Sequence, residues 1–152
     1  MHIQSPVRVI FILLIVACVS SCSQAPDPKT VLNSWNDALN QGQIDVALSY
    51  LAENAVVTIV PPPSGSGIFT GKSEIRAWYE GNTAQHSYNE MIEVKVDGEK
   101  VTWTSKFIID EWKKLGIEPL VYYGEGTIKG GKIQSYTATL PPESLAKLPP
   151  PP

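Results

Sequence analysis

The chain has 152 residues with 12 basic and 15 acidic side chains, and its formal charge of −3 is spread without blocks, which excludes the basic footprint of a nucleic-acid-binding protein. Two cysteines and two histidines exclude a disulfide framework and a histidine-rich zinc site, so neither metal nor cofactor is expected. A Ser-His-Asp triad would have to be built on His86, the only histidine after His2.

In chain order the first element is an export signal. His2 and Arg8 lie in a short polar lead, and residues 9–19 form an uninterrupted apolar run. A spanning helix needs about 20 apolar residues, so a run of eleven disfavours a permanent transmembrane anchor. Small Ser20 and Ser21 then precede Cys22, and Val19-Ser20-Ser21-Cys22 resembles the lipobox of bacterial lipoprotein precursors. The resemblance implies cleavage before Cys22, lipidation of Cys22, and an extracytoplasmic domain anchored to the cell membrane or the periplasmic side of the outer membrane. Ser23, in place of a retention aspartate, favours the outer membrane in a host that has two. Cys18 offers a weaker match, because it lies inside the apolar run; plain secretion after cleavage near Ala17 or Ser21 is the alternative. Loss of residues 1–21 leaves 131 residues, enough for one core, and removes both unmodified cysteines. The expected organisation is a signal over 1–21, a lipidated tether over 22–29, a domain over 30–145 and a proline-rich tail over 146–152.

Asp27 and Pro28 form an N-cap and first-turn pair, and Val31, Leu32, Trp35 and Leu39 recur at helical spacing, predicting a helix over 28–41 that Gly42 ends. Ile44, Ala47, Leu48 and Leu51 continue the spacing in a second, shorter helix. Residues 55–60 are rich in β-branched side chains and are stopped by Pro61-Pro62-Pro63, so they read as a strand followed by a Ser/Gly loop. Ile75, Trp78 and Tyr79 mark a third helix over 71–80, ended by Gly81.

From Tyr88 the period changes to two. Ile92, Val94 and Val96 alternate with charged residues, and Asp97-Gly98 predicts a tight hairpin into a strand over 100–109 whose buried face carries Val101, Trp103, Phe107 and Ile109. Residues 110–119 read as a loop or single helical turn. Residues 120–128 and 132–140 are two further strands around Lys129-Gly130-Gly131, and 143–148 can add one helical turn.

This order, with Ala38-Leu39-Asn40-Gln41-Gly42-Gln43-Ile44-Asp45, Gly71-Lys72-Ser73-Glu74-Ile75-Arg76, Val96-Asp97-Gly98 and Gly131-Lys132-Ile133, resembles the SnoaL-like domains of the nuclear transport factor 2-like superfamily over residues 28–145. The resemblance implies an α+β fold: a cone-shaped, curved antiparallel sheet wrapped on N-terminal helices, a cystatin-like α+β roll with a pocket at its open end. Fold does not fix function, since relatives include isomerases, hydrolases, cyclases and binding or dimerising domains. Isomerase-like relatives carry a tyrosine on helix one and carboxylates on the first and fourth strands; here those places match Trp35, then Thr58, Ile59 and Val60, then Tyr123, Gly124 and Glu125. The departures argue against that mechanism.

Glu125 and His86 are the candidate catalytic groups, His86 with Asp110, Glu125 or Tyr122 as possible partners. Trp35, Trp78, Trp103, Trp112, Tyr122 and Tyr136 are the candidate pocket residues, Trp112 from the loop over the mouth. The reading that follows is a lipid-anchored, non-catalytic holder of a small apolar molecule. The alternatives are a cyclase, isomerase or hydrolase using Glu125 or His86, and an interaction domain that forms homodimers through its outer sheet face.

Overall fold

The structure, a computed structural model, describes residues 25–63 and 65–148; the expected export signal and its expected lipidation site, Cys22, lie outside the described residues. Helix α1 (Pro28–Asn40) starts as expected, with Asp27 Oδ2 accepting from the Thr30 amide at 3.0 Å. After α2 (Ile44–Ser49) come β1 (Leu51–Val60), β2 (Ile68–Thr70), α3 (Gly71–Ala84), β3 (Tyr88–Asp97), β4 (Lys100–Ile108), α4 (Asp110–Lys114), β5 (Leu120–Lys129), β6 (Lys132–Thr139) and α5 (Pro142–Leu145). Among the described residues no helix is long and apolar enough to cross a membrane.

The strands form one curved sheet in the order β2-β1-β6-β5-β4-β3. The α+β class is as expected, but the sheet is mixed: β1 runs parallel to β6, and the other pairs are antiparallel. Two hairpins return the chain to the end where β1 began, so the last strand docks beside the first in the same direction. Val31, Leu32 and Trp35 of α1, Ile75 and Tyr79 of α3, and Val57, Val101, Trp103, Ile128 and Ile133 of the sheet are buried together. Each such large side chain contributes roughly 1.5–3 kcal/mol.

Four local differences have physical causes. Leu51 opens β1 rather than closing α2, because it pairs with Ile133 of β6 before a register shift. Gly81 does not stop α3, which runs three residues further; the turn out of it is made at His86, φ 50°. Residues 68–70 form an unpredicted edge strand, set by a loop in which the Ile59 amide donates to Gly67 O at 2.8 Å. A Cβ on Gly67 would stand 2.7 Å from Ile59 O, so only glycine fits there. Finally, a bulge between Met91 and Glu93 shifts the alternation, leaving Ile92 exposed and half-burying Met91 against the core.

The sheet has two distinct ends. At one, Asp97 faces Lys100, Lys129 faces Lys132 and Leu51 pairs with Ile133. At the other stand Tyr88 opposite Ile108, Tyr123 opposite Thr139 and Val60 beside Thr139. Helix α1 begins at the first end, where Pro26 Cδ lies 2.9 Å from the place a Cβ on Gly131 would occupy.

Candidate functional site

The cone opens at the second end into a cavity of about 420 Å³. Its wall is built from the C-terminal halves of α1 and α3 and the strand ends that reach the mouth. Trp35 and Leu39 come from α1, Trp78 and Tyr79 from α3, and Tyr122, Tyr136 and Ala138 from β5 and β6. Pro61 to Pro63 form one side of the rim, and Trp112 of α4 with Leu145 and Leu148 of the C-terminal segment form the other. Phe69 stacks on Trp78 at 5.0 Å from behind, and the ring of Phe107 meets Trp112 edge-on at 5.8 Å, so each of these tryptophans is backed by a phenylalanine.

Five of the six expected pocket residues, Trp35, Trp78, Trp112, Tyr122 and Tyr136, come together on this cavity. Trp103 does not line it. Its ring is buried behind the wall, 6.5 Å from Trp35 and 6.1 Å from Tyr136, over Gly124, whose missing Cβ would fall within 1.9 Å of that ring.

The two candidate catalytic groups, Glu125 and His86, do not line the cavity. Glu125 lies opposite Thr102 and Thr137 on the outer sheet face, exposed in a separate groove of about 430 Å³ with Glu93 and Lys95. The parity of β5 decides this: Tyr122, Gly124 and Gly126 point inward, so their neighbour cannot. His86 does find Asp110, Nδ1 to Oδ2 at 2.8 Å, but its side chain is 78% exposed beyond the rim. Lys113 and then His86 hold the Asp110 carboxyl below its ordinary range by hydrogen bonding.

Among the described residues lining the cavity there is no Asp, Glu, His, Lys or Arg. Its titratable groups are Tyr79, Tyr122 and Tyr136, and burial pushes all three phenols above the ordinary range. They stay protonated at neutral pH, so the cavity offers hydroxyl donors and no proton acceptor of carboxylate or imidazole strength.

Asn40, Asn82, Thr83, Gln85 and Ser87 contribute neutral polar groups to the lining, and two clusters of polar atoms lie in the aromatic wall. In the first, Trp35 Nε1 donates to Tyr79 Oη at 3.0 Å, and Tyr79 Oη lies 3.4 Å from Tyr136 Oη. The two hydroxyls share one bond, and the indole N–H occupies the Tyr79 oxygen, so whichever tyrosine donates, one hydroxyl hydrogen has no protein acceptor. In the second, the Tyr122 hydroxyl stands among Ser105, Trp103 and Asn89, whose hydrogen bonding works against the dominant effect of burial on its pKa. Asn89 Oδ1, Trp103 Nε1 and Ser105 Oγ are buried there without a hydrogen-bond partner.

Asn89 is aimed by α1. Asn36 Nδ2 and Asn40 Nδ2 donate to its carbonyl oxygen at 3.1 and 2.8 Å, its amide donates to Asn40 Oδ1 at 2.8 Å, and its Nδ2 donates to Asn36 Oδ1 at 2.6 Å. This clamp, Tyr79 and the proline rim escaped sequence reasoning. The usable signal was Asn36 and Asn40 one turn apart beside an apolar stripe.

No family model and no curated protein sequence matches the chain. Solved structures do. The epoxide hydrolase/cyclase-like enzyme SalBIII, with a role in pyran ring formation in salinomycin, superposes with a TM-score of 0.65 at 16% identity, over 77% of this chain and 92% of that one. An NTF2-like protein of unknown function from Cytophaga hutchinsonii gives 0.64 at 15% identity, over 82% and 98%. An LEH-like epoxide hydrolase from M. tuberculosis gives 0.63 at 14% identity, over 79% and 86%. At these identities the likeness is one of fold, and the fold of this chain is the NTF2-like α+β cone.

Proposed function

We propose that this chain is a lipid-anchored, extracytoplasmic binding protein whose cone holds a small, largely apolar molecule without transforming it. The observation that carries the reading is the cavity lining: mostly aromatic and aliphatic walls, with neutral amide and hydroxyl side chains from Asn40, Asn82, Thr83, Gln85, Ser87 and Asn89, and among the described residues no carboxylate, imidazole, ammonium or guanidinium. The volume lies within the usual range for small-molecule pockets. The hydrolase and cyclase names of structures with this fold do not transfer, because a proton-moving reaction needs a group that ionises near neutral pH at the reacting atom. Glu125 and His86, the groups proposed for that task, are outside the cavity.

The leftover hydroxyl of the Tyr79–Tyr136 pair specifies the ligand further. A buried donor without an acceptor costs about 1–3 kcal/mol, so the complementary molecule brings a carbonyl or ether oxygen on an apolar ring. Matched probes test this: 2-acetylnaphthalene binds about tenfold more tightly than 2-isopropylnaphthalene, read by tryptophan quenching and calorimetry, a difference of about 1.4 kcal/mol. Equal affinities would remove the acceptor requirement, and no binding of either would remove the holder reading. The lipid anchor is tested separately: Cys22→Ser releases the protein from membranes, and unchanged retention contradicts it.

A second reading, pairing of two copies through the outer sheet face, is favoured by exposed Tyr88, Ile92 and Tyr123. Sedimentation at micromolar concentration yields a dimer if it holds, and a monomer dismisses it.

A further inference from the structure

We propose that the cone mouth faces away from the membrane, and that the turns Asp97–Lys100 and Lys129–Lys132 form the surface laid against the lipid, so the ligand enters from the aqueous side. The inference rests on the lipid-anchor reading of Cys22 and goes beyond it by fixing which end of the domain the anchor holds.

Two observations carry it. Pro26 packs on Gly131 in the β5–β6 turn, so the chain enters the domain at the end of the sheet opposite the cavity. Every segment lining the cavity reaches it at its other end: the ends of β1, β4 and β6, the starts of β3 and β5, and the C-terminal halves of α1 and α3. The ten residues of β1 separate these ends by about 30 Å. Cys22 is four positions before Pro26, and four extended residues reach no more than about 14 Å. A lipid on Cys22 therefore sits beside the turns and cannot be brought to the rim while Pro26 keeps its seat.

This geometry also restricts the ligand's route. A molecule dissolved in the bilayer that holds the protein would have to leave it and travel the length of the domain to reach Trp112 and Leu148 at the rim. The cavity is thus open to molecules arriving through water, free or released by a soluble carrier, at the end the anchor leaves clear.

The test uses the protein expressed with its full export signal and reconstituted in phosphatidylethanolamine/phosphatidylglycerol vesicles that contain a few per cent of headgroup-spin-labelled lipid. A fluorophore is attached in turn at four exposed positions: Glu99→Cys and Lys129→Cys at the turns, Glu143→Cys and Ala146→Cys beside the mouth. The turn labels are quenched at least twofold more strongly than the mouth labels. Equal quenching, or the reverse order, in protein that floats with the vesicles overturns the orientation while leaving the anchor standing. Protein that does not float, or that floats equally well as Cys22→Ser, overturns the anchor reading and this inference with it.

Discussion

Asn36 and Asn40 stand one helical turn apart on α1, and both close on Asn89 with side-chain amides whose acceptors and donors are matched. Removing one partner leaves the other buried and unpaired, which costs more than the bond itself contributes. Asn36→Ala is expected to lower unfolding free energy by about 1–3 kcal/mol, measured by urea denaturation. An unchanged midpoint would mean that α1 and β3 are held by packing alone. Gly124 is the second informative position. A Cβ there would enter the Trp103 ring, so Gly124→Ala should destabilise by about 1–3 kcal/mol and alter the near-ultraviolet tryptophan signal. Single residues of this kind are poorly legible in sequence. In the sequence Gly124 is only a small residue between Tyr123 and Glu125, whereas its role is set by the Trp103 ring on the neighbouring strand.

At the scale of elements, periodicity revealed what was regular. Helix α1 was legible from its cap and apolar spacing, and the β3–β4 and β5–β6 hairpins from their glycine turns. What the pattern hid were interruptions decided by tertiary packing. The bulge at Ile92 reverses inside and outside within an alternating run, and β1 begins at Leu51 because β6 offers it a partner. Gly81 is the reverse case, a helix breaker by composition that lies inside α3 with nothing within 4 Å of an added Cβ. Its replacement by alanine removes unfolded-state entropy without a clash. Gly81→Ala is expected to stabilise the protein by about 0.5–1 kcal/mol, read as a raised melting temperature, and a lowered one would show that the glycine is needed for the final turns of α3.

For the whole molecule, the α+β cone was legible from element order, and most of the aromatic wall from which elements reach its open end. The mixed sheet was not, because strand direction depends on the parity of the connections rather than on any local signal. The burial of Tyr79, Tyr122 and Tyr136 gives the assembled cone a pH dependence. All three phenols are raised above the ordinary value of 10.0, so on these three groups folded and unfolded chains hold the same protons below about pH 10. Above it the unfolded chain releases protons that the folded one keeps, and stability falls as pH rises. Tyrosinate absorbance from these three should therefore appear only together with loss of tertiary circular dichroism. Reversible ionisation of every tyrosine in the folded protein would show that the cavity wall is open to water.

The most direct measurement is native mass spectrometry of the Cys22→Ser protein, exported by its own host and purified without detergent. The predicted result is a population heavier than the polypeptide by one small organic molecule that is released on denaturation and is lost when Trp35, at the cavity wall, is replaced by alanine. A bare polypeptide mass in repeated preparations, from protein whose cone is folded, would contradict the holder function.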